Sequence, residues 1–301
     1  MLIAATALFL LAFLALWAAI YRALPPAWRA AHALWAALAR AILSRQRFAV
    51  WYERGTTRLR PLHPYRTLLL ILGFGFLTAA ATGAAFLHLA ELMQGENPSL
   101  EQVDQAVWRA SHQFRSPGAT RFFLFFTVLG TGVGLGVLVL ILAIVMIVRG
   151  HAAWAGFLVV TAAGGGLLNH ALKVVFARAR PDMAEALWRS HSYSFPSGHA
   201  MGSLVVFGAL VYLVMHAAQG WRVRSAAVAL AICMVGAISV SRIYLGVHWF
   251  SDIVAGVSAG LVWLATTTAT YEVYRRMRML RAGRNPAPAT APEMKVSPAR
   301  E

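Results

Sequence analysis

Apolar positions in this chain come in long runs separated by short polar segments. The runs cover about 2–21, 67–90, 122–148, 153–172, 200–217, 226–245 and 250–271. A helix crosses the hydrocarbon core with about 20 apolar residues. Lipid offers the backbone no hydrogen-bond partners, so each such run has to satisfy its own by folding as a helix. The pattern predicts an all-α, polytopic transmembrane helical bundle of seven spans. Between the first two runs, Trp28, Ala31, Trp35, Leu38 and Ile42 recur at helical spacing, with Arg29 and Arg40 elsewhere around the wheel. This is the pattern of a helix lying on the cytoplasmic interface or of a connecting helix packed on the bundle. The first run has no Lys or Arg ahead of it, which favours a retained anchor over a cleaved signal peptide.

Composition agrees. The 301 residues are 59% hydrophobic and only 13% charged, whereas charged residues make up about a quarter of a soluble domain. The net charge of +16 would suggest nucleic acid in a soluble protein. Here the cations sit between apolar runs and in the tail, where they set topology and touch anionic lipid. The single cysteine, Cys233, lies inside an apolar run, so the chain has neither an internal disulfide nor a Cys-based metal pattern.

The basic segments fix an orientation. Arg29, Arg40, Arg45, Arg47, Arg54, Arg58, Arg60 and Arg66 precede the second run, and Arg275, Arg276, Arg278, Arg281 and Arg284 follow the last. Arg149, Arg222 and Arg224 fall on that same side, which the positive-inside bias makes cytoplasmic. The acidic segment with Glu91, Glu96, Glu101 and Asp104 falls outside, leaving the N-terminus out and the C-terminus in. Three parts result: an anchor and basic linker (1–66), a transmembrane domain (67–274) and a basic tail (275–301) whose Pro- and Ala-rich end, 283–301, reads as disordered.

One outside segment breaks the charge rule. Residues 173–199 carry Lys173, Arg178, Arg180 and Arg189 against Asp182 and Glu185. Cations placed against the topological bias suggest an anion to bind. Three polar stretches meet on that face: KVVFARARP at 173–181, PSGH at 196–199 and SRIYLGVHWFSD at 241–252. Lys173, Arg180 and Arg242 supply fixed charge, and guanidinium forks match phosphate oxygens. Ser197 offers a hydroxyl, and Gly198 offers an N–H that a ligand can approach closely. Pro196 suits the start of the following helix, whose N-terminus favours an anion. His248 and Asp252, four apart at the start of the last helix, share a face. Asp252 then holds one ring nitrogen and leaves the other free to attack phosphorus. His199 is placed to protonate the departing oxygen and later to activate water.

Other polar and glycine positions read as structural. His88, His112 and His170 are core or loop histidines, and Pro181 ends the preceding helix. Arg178 and Arg189 make loop or headgroup contacts, with Arg178 able to reach the rim, and Asp182 either tunes Arg180 or has no role. Tyr244 and Trp249 sit in the interfacial aromatic belt. The glycines of GTGVGLG at 130–136, together with Gly164, Gly165 and Gly166, serve close helix packing, because no strand precedes them to make a nucleotide loop.

In order, the three stretches match K-x6-RP, PSGH and SR-x5-H-x3-D, with Lys173, Arg180, Pro181, Pro196, Ser197, Gly198, His199, Ser241, Arg242, His248 and Asp252 all present. The chain over about 120–271 thus resembles the type 2 phosphatidic acid phosphatase and vanadium haloperoxidase superfamily. The resemblance implies a six-helix phosphatase core, to which the first run adds an N-terminal span. It implies His248 as nucleophile, His199 as acid and base, and Asp252 as orienter. Lys173, Arg180, Ser197, Gly198 and Arg242 are implied to bind phosphate, with no cofactor and no metal.

The expected activity is a membrane lipid phosphatase acting on a phosphomonoester or diphosphate through a phosphohistidine. The family's substrates include undecaprenyl diphosphate, phosphatidic acid, phosphatidylglycerol phosphate and lipid A phosphates. The expected setting is a bacterial inner membrane with the site facing the periplasm, the partners being lipid and membrane, not nucleic acid. Transfer of the same phosphoryl group to a second lipid and non-catalytic lipid binding are the alternatives. Haloperoxidase chemistry is disfavoured by the spans, and no pattern sets an oligomeric state.

Overall fold

The computed structural model describes residues 2–43, 66–95, 97–181 and 183–284, and these form nine helices and no strand. They are α1 (Leu2–Leu43), α2 (Arg66–Gln94), α3 (Pro98–Gln113), α4 (Pro117–Leu129), α5 (Gly132–Val148), α6 (Ala152–Phe176), α7 (Gly198–Ala217), α8 (Trp221–Tyr244) and α9 (Phe250–Arg284). Among the described residues six helices are long and apolar enough to span, or seven spans if the bent pair α4–α5 counts as one. This is the expected six-span core with an added N-terminal helix. The tail beyond 284 and Asp182 lie outside the described residues.

The outer surface shows where lipid belongs. Phe74, Phe76, Val133 and Val148 are each at least 72% exposed, an arrangement that would be costly in water and suits hydrocarbon. The buried interior is small and centres on α7, whose Met201, Val205, Val206, Ala209 and Leu213 face neighbouring helices. Helix α7 packs against α9 along a seam of small residues. A Cβ at Gly256 would stand 2.7 Å from the Ser197 carbonyl, and one at Gly260 would stand 3.0 Å from Leu204. Without an aqueous driving force, such close approach is what holds membrane helices together.

Three details depart from the pattern-based expectation. The run 122–148 is two helices meeting at 55°. At the corner, the Thr131 hydroxyl donates to Val128 O (2.7 Å) and accepts from Gly134 N (2.9 Å). The break therefore satisfies freed backbone groups internally, as lipid requires. Next, α1 runs unbroken from the first span through residue 43, where a separate helix, interfacial or connecting, was expected after the first span. It packs on α4 and α8, with Phe9 against Phe126 and the Trp17 indole donating to Ser225 Oγ at 3.0 Å. Last, α9 continues past residue 274 to Arg284, and its buried Glu272 accepts from Arg275, Arg276 and Tyr212.

Candidate functional site

The site sits where the C-terminal ends of α6 and α8 meet the N-terminal ends of α7 and α9. Helix α6 stops because Ala177 turns left-handed, with φ 42°, and returns its N–H to Lys173 O. Pro181 lies beyond that stop and does not cause it. Lys173, buried in the last turn of α6, donates to the Tyr193 and Ser194 carbonyls. The loop 178–196 is thereby drawn back over the helix end. Arg180, within that loop, donates to Ser192 O (2.7 Å), Val247 O (2.6 Å) and Ser192 Oγ (3.1 Å).

Ser197 is the N-cap of α7, preceded by Pro196. N-cap serines normally turn their oxygen onto the first-turn N–H groups. Here no such bond forms, and Ser197 Oγ is fully buried without a partner. His199 Nε2 and Arg242 Nε are also buried and unpartnered. Arg242 is 1% exposed, donates only to the Thr127 hydroxyl, and has no carboxylate within ion-pair distance among the described residues. Unmet hydrogen-bonding groups and an unpaired buried cation are costly unless a ligand completes them. An anion with several acceptor oxygens is the ligand that would.

The His248–Asp252 pair forms, although not as two residues on one helical face. His248 precedes α9, which begins at Phe250 after a turn at Gly246. That turn requires φ +76°, and a Cβ there would also stand 2.8 Å from Arg115. Asp252 reaches back to accept from Trp249 N (3.0 Å), as the third residue of a capping box does, and lies 3.2 Å from His248 Nδ1 with the same oxygen. The other ring nitrogen, Nε2, lies 3.2 Å from Arg180 Nη1. Donation from Nδ1 to the carboxylate and acceptance at Nε2 from the guanidinium define one tautomer of a neutral ring. Burial, then the charges of Arg242, Arg180 and Lys173, hold the imidazole well below the ordinary histidine value.

Lys173, Arg180, Gly198, His199, Arg242 and His248 line one cavity of about 540 Å³. Asp252 stands behind His248, and Ser197 behind Gly198, rather than on its wall. The same cavity continues as an apolar groove past Leu135, Gly136, Val139, Val159 and Val206, between α5, α6 and α7. Gly136 and Gly166 line it with no atom within 4 Å of where a Cβ would be, so these glycines leave space and do not pack. Gly164 does pack, as its Cβ would stand 2.3 Å from Trp263. Among the described residues no three His, Cys, Asp or Glu side chains gather as a metal site would require.

Several site neighbours escaped the pattern. A Cβ at Gly198 would stand 2.8 Å from Asn169 Oδ1, and the Asn169 amide donates toward Pro196 O at 3.4 Å. Gly130, at the α4–α5 corner, backs onto His199. Tyr244 is not in an aromatic belt. It is 4% exposed, accepts from Ser116 N and shares a hydrogen bond with Thr120. Trp249 lies under the Arg178 guanidinium, 5.9 Å from ring centre to Cζ. Arg178 is not a headgroup contact: it donates to Asp252 Oδ1 (2.7 Å), Ser251 Oγ (2.7 Å) and Asp104 Oδ2 (2.9 Å). Asp104, one of the acidic charges assigned to the outside segment, is 1% exposed.

The fold and this arrangement define an integral membrane hydrolase of the lipid phosphatase class. The family model of the PAP2 superfamily matches residues 154–276. Phosphatidylglycerophosphatase B of Bacillus subtilis is 31% identical over 186 residues, covering 60% of this chain and 89% of that protein. The lipid A 1-phosphatase of Rhizobium johnstonii is 33% identical over 129 residues, covering 40% of this chain and 48% of that protein. Among solved structures, the transmembrane PAP2 type phosphatidylglycerolphosphate phosphatase from Bacillus subtilis superposes with a TM-score of 0.61 at 27% identity, covering 65% of this chain and 96% of that one. The chain belongs to the PAP2 superfamily.

Proposed function

We propose that this protein hydrolyses the terminal phosphate of a membrane lipid, a phosphomonoester or diphosphate of the phosphatidylglycerol phosphate, phosphatidic acid or undecaprenyl diphosphate type, through a phosphohistidine. The observation that carries this is the cavity: one end is walled by cations and imidazoles, and the other is an apolar groove lying among the spans. A phosphate head and a lipid tail fit the two ends at once. The names of the relatives favour a glycerophospholipid or lipid A phosphate over a soluble ester.

In this reading Lys173, Arg180 and Arg242 bind the phosphoryl oxygens, joined by Ser197 Oγ and the N–H groups opening α7. His248 Nε2 attacks phosphorus, forming the N–P bond as the P–O bond to the lipid breaks. Asp252 keeps the Nδ1 proton in place and stabilises the ring as it becomes cationic. His199 gives a proton to the leaving oxygen, then takes one from the water that cleaves the N–P bond and releases inorganic phosphate. The cationic wall stabilises the charge on the equatorial oxygens throughout, so the chain itself supplies this electrostatic work. The site faces the periplasm of a bacterial inner membrane. The positive-inside distribution supports this, since every motif junction lies at the end of the bundle away from Arg149, Arg222 and Arg275.

The test is phosphate release by purified protein from a panel of lipid phosphates, with His248→Ala as control. Turnover of at least one lipid, lost in the variant, is expected. Full turnover by His248→Ala overturns the mechanism.

A further inference from the structure

Behind the His248–Asp252 pair lies a second, buried set of charges. Arg178 forks between two carboxylates: Nη1 donates to Asp252 Oδ1 at 2.7 Å and Nη2 to Asp104 Oδ2 at 2.9 Å. Asp104 belongs to α3, a helix outside the spans, and also accepts from Ser251 N (2.8 Å) and Ser251 Oγ (2.5 Å) in the first turn of α9. Asp252 and Asp104 are 0% and 1% exposed. The Arg178 guanidinium lies over Trp249, which precedes α9. One guanidinium thus ties the orienting carboxylate, the start of α9 and the separate helix α3 together.

We propose that Arg178 is a positioning residue for phosphoryl transfer, fixing the Asp252 carboxylate that holds the His248 ring, with Asp104 as its anchor on α3. This rests on the reading of His248 as nucleophile. The carboxylate's four main acceptor directions explain why an arginine stands here. Oδ2 serves Trp249 N and His248 Nδ1, so Oδ1 has to be held from elsewhere to stop the group rotating. A planar, always-charged fork can hold Oδ1 and Asp104 simultaneously, which a lysine cannot do with the same geometry. The pair of buried carboxylates would otherwise repel, and Arg178 offsets one of the two charges directly.

The experiment compares Arg178→Lys, Arg178→Gln and Asp104→Asn with wild type and His248→Ala in detergent or nanodiscs. It reads kcat, KM, the acid limb of kcat/KM, melting temperature and vanadate affinity. The charged groups facing His248 are Asp252, Arg180, Arg242, Lys173 and His199, and those facing Asp252 are Arg178, Arg180, Lys173 and His248. Removing the cation from behind Asp252 strengthens the carboxylate's pull on the ring proton. Arg178→Gln is therefore expected to move the acid limb to higher pH, while Arg178→Lys leaves it nearer wild type. Both are expected to lower kcat at least tenfold with KM and vanadate affinity changed less than threefold, and Asp104→Asn to do so more weakly.

Unchanged kcat and pH profile in the folded fraction, with only the melting temperature lowered, would make Arg178 merely structural and overturn the proposal. A large rise in KM with loss of vanadate affinity would place Arg178 on the substrate and overturn it too. Full activity of His248→Ala would instead remove the mechanism on which it rests.

Discussion

Arg180 Nη1 and His248 Nε2 stand 3.2 Å apart, so the group proposed to bind phosphate and the atom proposed to attack it are hydrogen-bonded to each other. An oxygen held by that guanidinium is adjacent to the ring nitrogen before any bond changes. Such placement is worth much of a catalytic barrier, because it settles orientation in advance.

Replacing His248 by alanine removes the proposed nucleophile from a site that otherwise still binds. Turnover should fall on the order of 10³-fold or more, while vanadate binding, read by thermal shift, persists within a few-fold. The fold should survive, since losing two buried hydrogen bonds costs about 1–3 kcal/mol. Vanadate binding abolished along with turnover would point to a collapsed pocket.

Arg242 is a buried charge with no carboxylate partner among the described residues. Arg242→Met should raise the melting temperature of ligand-free protein, because a buried unpaired cation costs more than an apolar chain of similar length. The same change should cut kcat/KM at least about 100-fold, in line with one transition-state charge contact. A lower melting temperature in the variant would show that something already compensates the charge.

The depressed His248 imidazole makes a stability prediction. Its folded value lies well below the unfolded value of about 6.5. The native state therefore binds fewer protons than the unfolded chain below about pH 6.5. This contribution is fully present above that pH and is lost as the pH falls toward the folded value. Melting temperature should decline between pH 7 and 5 more steeply for wild type than for His248→Asn. Equal slopes would show that the ring is not held neutral.

Gly130 sits where no side chain fits. A Cβ there would stand 2.4 Å from Ile238 Cγ2 and 3.1 Å from His199 Cδ2. Gly130→Ala should push His199 out of line and lower kcat about 10- to 100-fold, since small misplacements of a reacting group are expensive. Adding Ile238→Ala should recover most of the loss. Failure of that rescue would mean the corner does not act through this contact.

The apolar groove can be filled without touching the cup. Gly136→Leu and Gly166→Leu enter open space, so folding should tolerate them. KM for a long-tailed lipid phosphate should rise at least fivefold, with a short-chain ester little changed. Equal effects on both substrates would place the tail elsewhere.

Much of the molecule was legible before any coordinates. Runs of about 20 apolar residues leave the backbone no choice but helix, so the spans and the all-α class followed directly. The candidate site residues stood out because each motif sits at a helix end, where turn residues and charge interrupt the greasy pattern. Where the pattern misled, the cause was a long-range contact. Asp104 and Arg178 read as loop charges because nothing local shows that residues 74 apart meet in the interior. Tyr244 read as an interfacial aromatic because its partners, Ser116 and Thr120, lie more than 120 positions away.

The sequence by itself determined which segments are apolar and long enough to cross the membrane, which end carries the cations, and which residue types could handle a phosphate. Those properties depend on local composition and on the solvent, and both act on each segment separately. Only the tertiary structure decided that Lys173, Arg180, Gly198, His199, Arg242 and His248 share one wall, that Asp252 holds His248 through a helix cap, and that glycines open a groove beside them. These follow from how the helices pack, and packing in lipid is set by shape: a missing Cβ or a fitted guanidinium a hundred residues away fixes where each chemical group points.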